Sequence, residues 1–385
     1  MRTAILGAAL IVVGIAAIAL GILPVPEAEA LGERVWPILL FVVAITVVTE
    51  LAAEAGLFRV IAERTARWGH GRAWLLWLLV LALAVLSTIF LSLDTTAVLL
   101  TPVVVVLARH VGLSPLPFAL TTVWIANTAS LLLPVSNLTN LLAEHEMGSL
   151  GPLGFARLMA LPALIAIVVP AIILFIVFRT SLLQRYIADD PTEPEDRVLL
   201  VASAIVVVVL LPLLVSGIPV WMPAVGASLV LGFVFLLRRR AVLRFSLVPW
   251  QLVLFAGGLF LVVEAAHSLG LSALLANVSG HGEDLPSLLK LAGTGALGAN
   301  VLDNLPAYLA LEPVAGNPVR LAALLIGVNA GPLITPWASL ATLLWHQRLT
   351  ALGVEISWRR YMLLGAIAAP LTVAAATVGL WLTAR

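Results

Sequence analysis

Long runs of apolar residues dominate this chain, and they are continuous rather than alternating with polar residues. A helix needs about 20 apolar residues to cross a bilayer, whereas the strands of a membrane barrel would alternate. The pattern therefore predicts an all-α polytopic membrane protein. The predicted spans lie near residues 3–23, 35–52, 116–143, 155–179, 198–216, 219–237, 247–266, 319–346 and 360–383.

Two further apolar segments, 73–110 and 285–313, are predicted to be hairpins, because each turns at a single carboxylate. After Asp94 the return arm would extend only about 18 Å at ~1.5 Å per residue, and the arm after Asp303 is shorter. Neither arm crosses a hydrocarbon layer of about 30 Å. We therefore expect re-entrant hairpins with their tips near the midplane, where irregular backbone must be buried in protein or line a cavity.

Polar residues recur at matching places in the two halves of the chain. NTASLLLPVSNLTNLL at 127–142 aligns without gaps with NAGPLITPWASLATLL at 329–344. WPILLFVVAITVVTELAAEAGL at 36–57 likewise aligns with WQLVLFAGGLFLVVEAAHSLGL at 250–271. Because an extra helix between the halves inverts the second copy, the pattern predicts an inverted repeat, the usual basis of alternating access. The predicted units are a first repeat at 1–180, a linker and connecting helix at 181–216, and a second repeat at 217–385.

Each matched polar segment carries a proline inside a predicted span. Pro134 and Pro336 remove a backbone donor, so we expect broken helices at 116–143 and 319–346 whose freed polar groups bind a solute or ion. An isolated carboxylate in a membrane must hold a proton or a cation, so Asp94 and Asp303 are the candidates for proton coupling. The predicted substrate-binding residues at the tips and breaks are Thr95, Thr96, Asn127, Thr128, Ser130, Ser136, Asn137, Asn304, Asn329, Thr335 and Ser339.

The distribution of charged residues predicts which side of the membrane each loop faces. Only 11% of the residues are charged, and most of the 21 Lys and Arg residues face one side if the N-terminus is placed inside. We therefore expect a multi-pass protein of the inner (plasma) membrane with a cytoplasmic N-terminus, whose first apolar run is a span rather than a cleaved signal. Residues 56–72 predict an amphipathic helix at the interface. Glu50 and Glu264, at equivalent ends of equivalent spans, are either interfacial or paired with arginines.

The chain contains no cysteine, which leaves neither a disulfide framework nor a thiolate metal site. We expect no metal and no cofactor. No basic patch interleaved with aromatic residues suggests nucleic acid. An intramembrane enzyme would need a nucleophile and base, or metal ligands, in mid-membrane. None of the six His residues lies well inside a predicted span, so we expect no enzymatic activity.

The order of these motifs resembles a known family. LDTTAVLLTPVVVVLA, IANTASLLLPVSNLTNLL, VLDNLPAYLAL and NAGPLITPWASLATLLWHQRL with ISWRRY are similar to the arsenite/antimonite efflux permeases of the ion transporter superfamily. The resemblance covers nearly the whole chain. It implies two hairpins and two broken helices in an inverted repeat, and export of arsenite or antimonite from the cytoplasm by proton antiport. The chain differs where Thr95 and Thr96 follow the first carboxylate in place of an Asn-Asp pair.

The residues themselves agree with a small neutral substrate. Arsenous acid is a neutral triol at neutral pH, which hydroxyl and amide groups suit. No Lys or Arg lies near either hairpin tip in the sequence to pair with a multiply charged anion. The expected partners are arsenite or antimonite, protons and the lipid bilayer, with an ATPase subunit or a second copy of the chain as further candidates. The alternative is a sodium-coupled carboxylate or anion symporter of the same superfamily.

Overall fold

The computed structural model describes residues 2–187 and 195–384, which are helical over most of their length. Part of the predicted linker, residues 188–194, lies outside the described residues. The helices are α1 (Arg2–Ala19), α2 (Val25–Glu54), α3 (Leu57–Trp68), α4 (Ala73–Leu91), α5 (Leu93–His110), α6 (Leu116–Thr128), α7 (Leu138–Met147), α8 (Gly151–Leu182), α9 (Arg197–Leu214), α10 (Trp221–Arg239), α11 (Trp250–Ser268), α12 (Leu271–Ser279), α13 (Leu285–Val301), α14 (Asn304–Ala315), α15 (Pro318–Ala330), α16 (Leu340–Ala351) and α17 (Trp358–Thr383).

The predicted all-α polytopic class is confirmed. Among the described residues, eight helices are long and apolar enough to cross a membrane, namely α2, α4, α5, α8, α9, the helical stretch that begins with α10, α11 and α17. Helices α6 with α7, and α15 with α16, form the two broken helices, since a short segment outside α-helix that contains Pro134 or Pro336 interrupts each pair. The first of these segments includes two short 3-10 turns, Ala129–Leu131 and Pro134–Ser136. Such interruptions are tolerated in a membrane only where protein or a cavity surrounds them.

Helices α4 and α5 form the first hairpin, and its return arm is longer than the sequence predicted. The expectation of an arm of about 18 Å is wrong, because α5 begins at Leu93, one residue before the carboxylate. Ser92 causes the early start, since its Oγ accepts a hydrogen bond from Thr95 N at 3.3 Å and caps the new helix. A π-helical turn at Thr96–Leu100 follows the tip. Turns of this kind inside helices frequently occur at functional sites.

The two hairpins stand at opposite ends of α2. Arg34, in the first part of α2, pairs with Glu312 near the end of the second hairpin, which α13 and α14 form. Glu50, near the other end of α2, shares a pocket with Val98 and Pro102 of the first hairpin. The tips of both hairpins nevertheless line one cavity. The hairpins therefore approach each other from opposite faces and meet in the interior.

Short helices follow the matched spans in both halves. Helix α3 lies within the predicted amphipathic segment 56–72, and its counterpart α12 was not predicted. Each begins after a glycine in the left-handed region, Gly56 with φ 81° and Gly270 with φ 96°. These glycines occupy equivalent positions of the aligned segments, so the sharp turn after the span is a shared feature of the two halves. Glycine adopts this conformation without the strain that a side chain brings.

The first helix of each half packs on the second span of the other half, since α1 contacts α11 and α10 contacts α2. Helices α1 and α11 cross closely at glycines. A Cβ added at Gly258 would lie 2.7 Å from Leu10 Cβ and 2.9 Å from Gly7 O, whereas one added at the adjacent Gly257 would meet nothing within 4 Å. Small residues at such a crossing allow two backbones to approach in lipid.

The close packing of α1 on α11 can be tested by substituting the glycines of α11. We expect Gly258→Ala to destabilise the protein by about 1–3 kcal/mol, because the added methyl group must displace α1. Gly257→Ala is the matched control and should leave the protein as stable or slightly more so, because alanine favours helix. Thermal stability in detergent, followed by size-exclusion chromatography after heating, measures both. Equal stability of the two variants would contradict the close packing of α1 on α11.

Candidate functional site

A cavity of about 80 Å³ lies where the two hairpin tips meet the starts of α7 and α16. Helices α2 and α11 complete its wall with apolar side chains, among them Phe41 and Phe255. We call this space the central cavity. Its polar lining residues are Thr46, Ser92, Asp94, Ser136, Asn137, Asp303, Asn304 and Ser339.

The first tip holds a strained backbone next to its carboxylate. Ser92 has φ 120° and ψ 161°, a region that residues with a side chain rarely adopt. Such a conformation costs on the order of 1–3 kcal/mol and persists only when the surroundings impose it. The strain places Asp94 at the cavity, where its side chain makes no hydrogen bond or ion pair with residues 2–187 and 195–384. The Asp94 carboxylate is therefore open to a proton, a cation or a solute.

The second tip presents the other carboxylate. Asp303 is the N-cap of α14 and accepts a hydrogen bond from Leu305 N at 3.2 Å. Asn304, the first residue of α14, lines the cavity beside it. Asp94 and Asp303 thus face the same small space from opposite halves of the chain. Because two carboxylates in one site cannot both remain charged cheaply, this arrangement suits proton or cation exchange.

The first broken helix is anchored by its own polar side chains. Asn137 is the N-cap of α7 and accepts from Thr139 N at 3.4 Å. Ser136 donates through Oγ to Ile89 O at 2.8 Å, which ties the break to α4 of the first hairpin. Both residues line the cavity. The break therefore delivers a hydroxyl and a carboxamide to the site while it satisfies backbone groups that the interruption exposes.

A network of amides joins this break to the second half of the chain. Asn329, fully buried on α15, accepts hydrogen bonds from Asn137 Nδ2 at 2.8 Å and from Thr139 Oγ1 at 3.0 Å. It donates through Nδ2 to Asn140 Oδ1 at 2.8 Å. Asn140 in turn donates to Ser130 O at 2.6 Å and to Leu133 O at 3.1 Å, two carbonyls of the break. Asn329 therefore positions the cavity residue Asn137 rather than lining the cavity itself.

The equivalent asparagine of the first half has no such network. Asn127 Nδ2 donates to Val123 O within its own helix at 2.9 Å. Asn127 Oδ1 is buried without a hydrogen-bond partner in the described structure, as are Thr128 Oγ1 and Ser339 Oγ. Ser339 and Thr342 align with Asn137 and Asn140 of the first half. Residues at equivalent positions of the two aligned segments therefore make different hydrogen bonds in the two halves of the chain.

The cavity brings together part of the residue set predicted from the sequence. The residues that line it are Asp94, Ser136, Asn137, Asp303, Asn304 and Ser339.

The other predicted residues do not line the central cavity. Thr95 faces a neighbouring pocket, Thr96 bonds Thr88, Ser130 bonds Asn127 O, and Thr335 bonds Asn300. Asn127, Thr128 and Asn329 are buried away from the cavity. Asn329 nevertheless contacts the lining of the cavity through its hydrogen bond with Asn137.

A larger pocket of about 440 Å³, here called the vestibule, adjoins the central cavity. The two spaces share Ser92 and Asp94 of the first tip, together with Thr46, Leu252 and Leu340. Glu50 and Arg348 line the vestibule, and both also line a further pocket of about 450 Å³ that holds Arg59 and Arg239. The central cavity therefore connects with the arginine-rich face of the protein.

Sequence reasoning missed Arg348 because it lies far from either tip along the chain. The fold nevertheless places it in the same pocket as Asp94. A signal was present, since Leu340, Leu344 and Arg348 are spaced four residues apart and share a helix face that begins at the cavity. Ser92 was also missed. The expectation that no basic residue lies near a tip holds for the lining of the central cavity but not for its vestibule.

On the other side of the molecule lies a pocket of about 370 Å³, here called the far pocket. Its lining includes Arg34, Glu146, Glu264, His267 and Glu312. None of its lining residues belongs to the central cavity, whereas the vestibule shares five lining residues with that cavity.

Comparison with known proteins agrees with this architecture. The family model described as "CitMHS: Citrate transporter" matches residues 2–342. The "Arsenical pump membrane protein" of Escherichia coli (strain K12) is 34% identical over 365 residues, 86% of this chain and 83% of that protein. That of Yersinia enterocolitica is 32% identical over 378 residues, 90% and 86% of the two chains.

A solved structure shares the fold. The YdaH transporter of Alcanivorax borkumensis, whose crystal structure is described as having an unusual topology, superposes with a TM-score of 0.59 at 15% identity. The match covers 99% of this chain and 97% of that one. The resemblance to arsenite permeases expected from the motifs is thereby confirmed at the level of relatives. A multi-pass helical protein with two facing hairpins and these relatives is a membrane transporter, and the chain belongs to the CitMHS citrate transporter family.

Proposed function

We propose that this transporter exports arsenite or antimonite from the cytoplasm in exchange for protons, by alternating access. One observation carries the proposal. Among the described residues, those that line the central cavity include two charged ones, Asp94 and Asp303, and the remaining polar groups of the lining are hydroxyls and carboxamides. Two carboxylates repel an anionic substrate and favour a neutral, polyhydroxylated one. Arsenous acid fits this description at neutral pH.

The size of the cavity agrees with a small solute. A volume of about 80 Å³ accommodates only a handful of water molecules, each of which needs ~10–15 Å³ by the same measure. A solute with three hydroxyl groups on one atom can displace such waters and form the hydrogen bonds that they would make with the lining. The similarity to arsenical pump membrane proteins supports the same substrate class.

The two carboxylates are the proposed proton carriers. Asp94 is partly buried and without a cation partner in the part of the chain described here, and Asp303 receives a backbone amide. A carboxylate in this setting is stabilised either by binding a proton or by binding a cation. Alternating occupancy by protons and by substrate then couples export to proton entry.

The proposed membrane arrangement follows from the charge distribution. The vestibule lies beside Arg59, Arg239 and Arg348, and arginine-rich faces are retained in the cytoplasm. We place the protein in the inner membrane with its N-terminus and its vestibule on the cytoplasmic side. The exchanged packing of α1 on α11 and of α10 on α2 supports the inverted repeat of 1–180 and 217–385.

A sodium-coupled carboxylate or anion symporter is the second candidate. Arg348 in the vestibule favours it, because a guanidinium binds carboxylates well. The match to a citrate transporter model favours it also. Transport assays in which choline replaces sodium discriminate the candidates, since only the symporter requires sodium.

The coupling role of the carboxylates is testable by conservative substitution. We expect Asp94→Asn and Asp303→Asn each to reduce proton-driven arsenite transport in inverted vesicles by about 100-fold or more, the scale of a positioned proton-transfer group. Asp284→Asn is the matched control, because Asp284 also caps a helix of the second hairpin but lies outside the cavity. Asparagine retains capping, so the control should transport normally. Wild-type rates in both cavity variants would exclude these carboxylates as proton carriers.

Substrate charge is testable by competition. Antimonite should compete with arsenite, whereas succinate and citrate should not, because burying an unpaired anion costs several kcal/mol or more. Transport should persist when choline replaces sodium. The measurement is initial arsenite uptake into inverted vesicles with each competitor in excess. Competition by citrate together with strict dependence on sodium would establish the symporter in place of the arsenite exporter.

A further inference from the structure

A cluster of charged residues lies at the edge of the far pocket. Arg34 of α2 forms ion pairs with Glu312 of α14 and, at 3.3 Å, with Glu146 of α7. Tyr308 of α14 donates through its hydroxyl to Glu312 Oε1 at 2.8 Å. Glu312 is 8% exposed and Tyr308 is fully buried. The cluster therefore joins α2, the second hairpin and the first broken helix at one point.

The cluster lies in line with the central cavity along α14. Asn304, Tyr308 and Glu312 are spaced four residues apart and share one face of this helix. Asn304 lines the central cavity and Glu312 lines the far pocket. Tyr308 lies between them, and the two spaces share no lining residue. The face of α14 thus leads from the site to the far pocket, and the cluster occupies its outer end.

The opposite side of the site lacks a comparable closure. Glu50 and Arg348 both line the vestibule, and no ion pair joins them in the part of the chain that the structure describes. The contrast is between an ion-paired, partly buried cluster beside the far pocket and separated charges beside the vestibule. Partly buried ion pairs resist separation, because removal of one partner leaves the other charge uncompensated.

We infer that Arg34, Glu146, Tyr308 and Glu312 form the gate through which substrate leaves the central cavity towards the far pocket. The Arg34–Glu312 ion pair holds α14 against α2 while the vestibule is open. Release at the far pocket requires that this pair separate and that the second hairpin move away from α2. Glu312 and Arg34 are positioning residues in this cycle, since neither lines the central cavity. The inference rests on the proposed alternating access, but it concerns the closure and not the substrate.

The absence of cysteine allows a direct test that needs no substrate. Val42→Cys introduces a single thiol into a wall of the central cavity. It lies eight residues, or about 12 Å of helix, beyond Arg34 on α2. A membrane-impermeant maleimide is applied to vesicles of each orientation. We expect rapid labelling from the vestibule face and slow labelling from the far-pocket face.

Substitutions that break the ion pair should raise the labelling rate from the far-pocket face and leave the rate from the vestibule face unchanged. Glu312→Gln and Arg34→Gln should each raise labelling from the far-pocket face about tenfold, the change in population that ~1.4 kcal/mol produces. The reversed pair, Arg34→Glu with Glu312→Arg, should restore slow labelling when Glu146→Gln also removes the like charge that would lie beside position 34. Labelling from the vestibule face shows that each variant is folded.

The matched control is Arg157→Gln, an exposed arginine near the start of α8 that lines neither space. It should leave both rates unchanged. Unchanged labelling in Glu312→Gln and Arg34→Gln overturns the gate, as does an equal increase in Arg157→Gln or a reversed pair that labels as fast as the single variants. Failure of wild-type protein to transport arsenite would overturn the proposed function and leave this labelling result standing.

Discussion

The structure depends on one constraint, which is that two hairpin tips and two helix breaks lie inside a membrane protein, where water cannot satisfy the backbone groups of the interrupted helices. Side chains from the tips and breaks supply the missing partners. Ser92, Asp303 and Asn137 each accept a first-turn amide of α5, α14 and α7. Asn140 satisfies two carbonyls of the first break, and Asn300 bonds Gly331 O and Thr335 N of the second. Three of these residues, Ser92, Asn137 and Asp303, also line the central cavity, so the side chains that satisfy the interrupted backbone supply part of its polar lining.

The fold could be predicted to a large extent because membrane insertion imposes a simple pattern. Apolar runs located the spans, and Pro134, Pro336 and the lone carboxylates Asp94 and Asp303 located the breaks and tips. The length of each hairpin arm was harder to predict from the sequence. The cap at Ser92 depends on a backbone conformation that residues with a side chain rarely adopt, and local sequence does not reveal it. The short helix α12 was missed, since its apolar residues continue the preceding run.

The sequence predicted the type of site, a polar cavity with two carboxylates, but identified only some of the residues that line it. Which polar side chain faces a cavity depends on the rotation of each helix and on partners from the other half of the chain. Asn127 and Asn329 are indistinguishable by alignment, yet Asn329 bonds three side chains across the interface while Asn127 bonds its own helix. Arg348 illustrates the same limit, because only the fold places it beside Asp94. Sequence periodicity identifies candidate site residues, but only the tertiary contacts show which of them line the cavity.

The exchanged packing of the first helices has a consequence for biosynthesis. Helix α2 contacts α10, and α1 contacts α11, so the partners of the two N-terminal helices leave the ribosome only after the whole first half of the chain. At ~5–20 residues per second, α1 and α2 wait many seconds in the bilayer for them. During that interval the close glycine contact surface of α1 faces lipid or other proteins. A nascent chain of this kind therefore benefits from insertion machinery that shelters its early helices until α10 and α11 arrive.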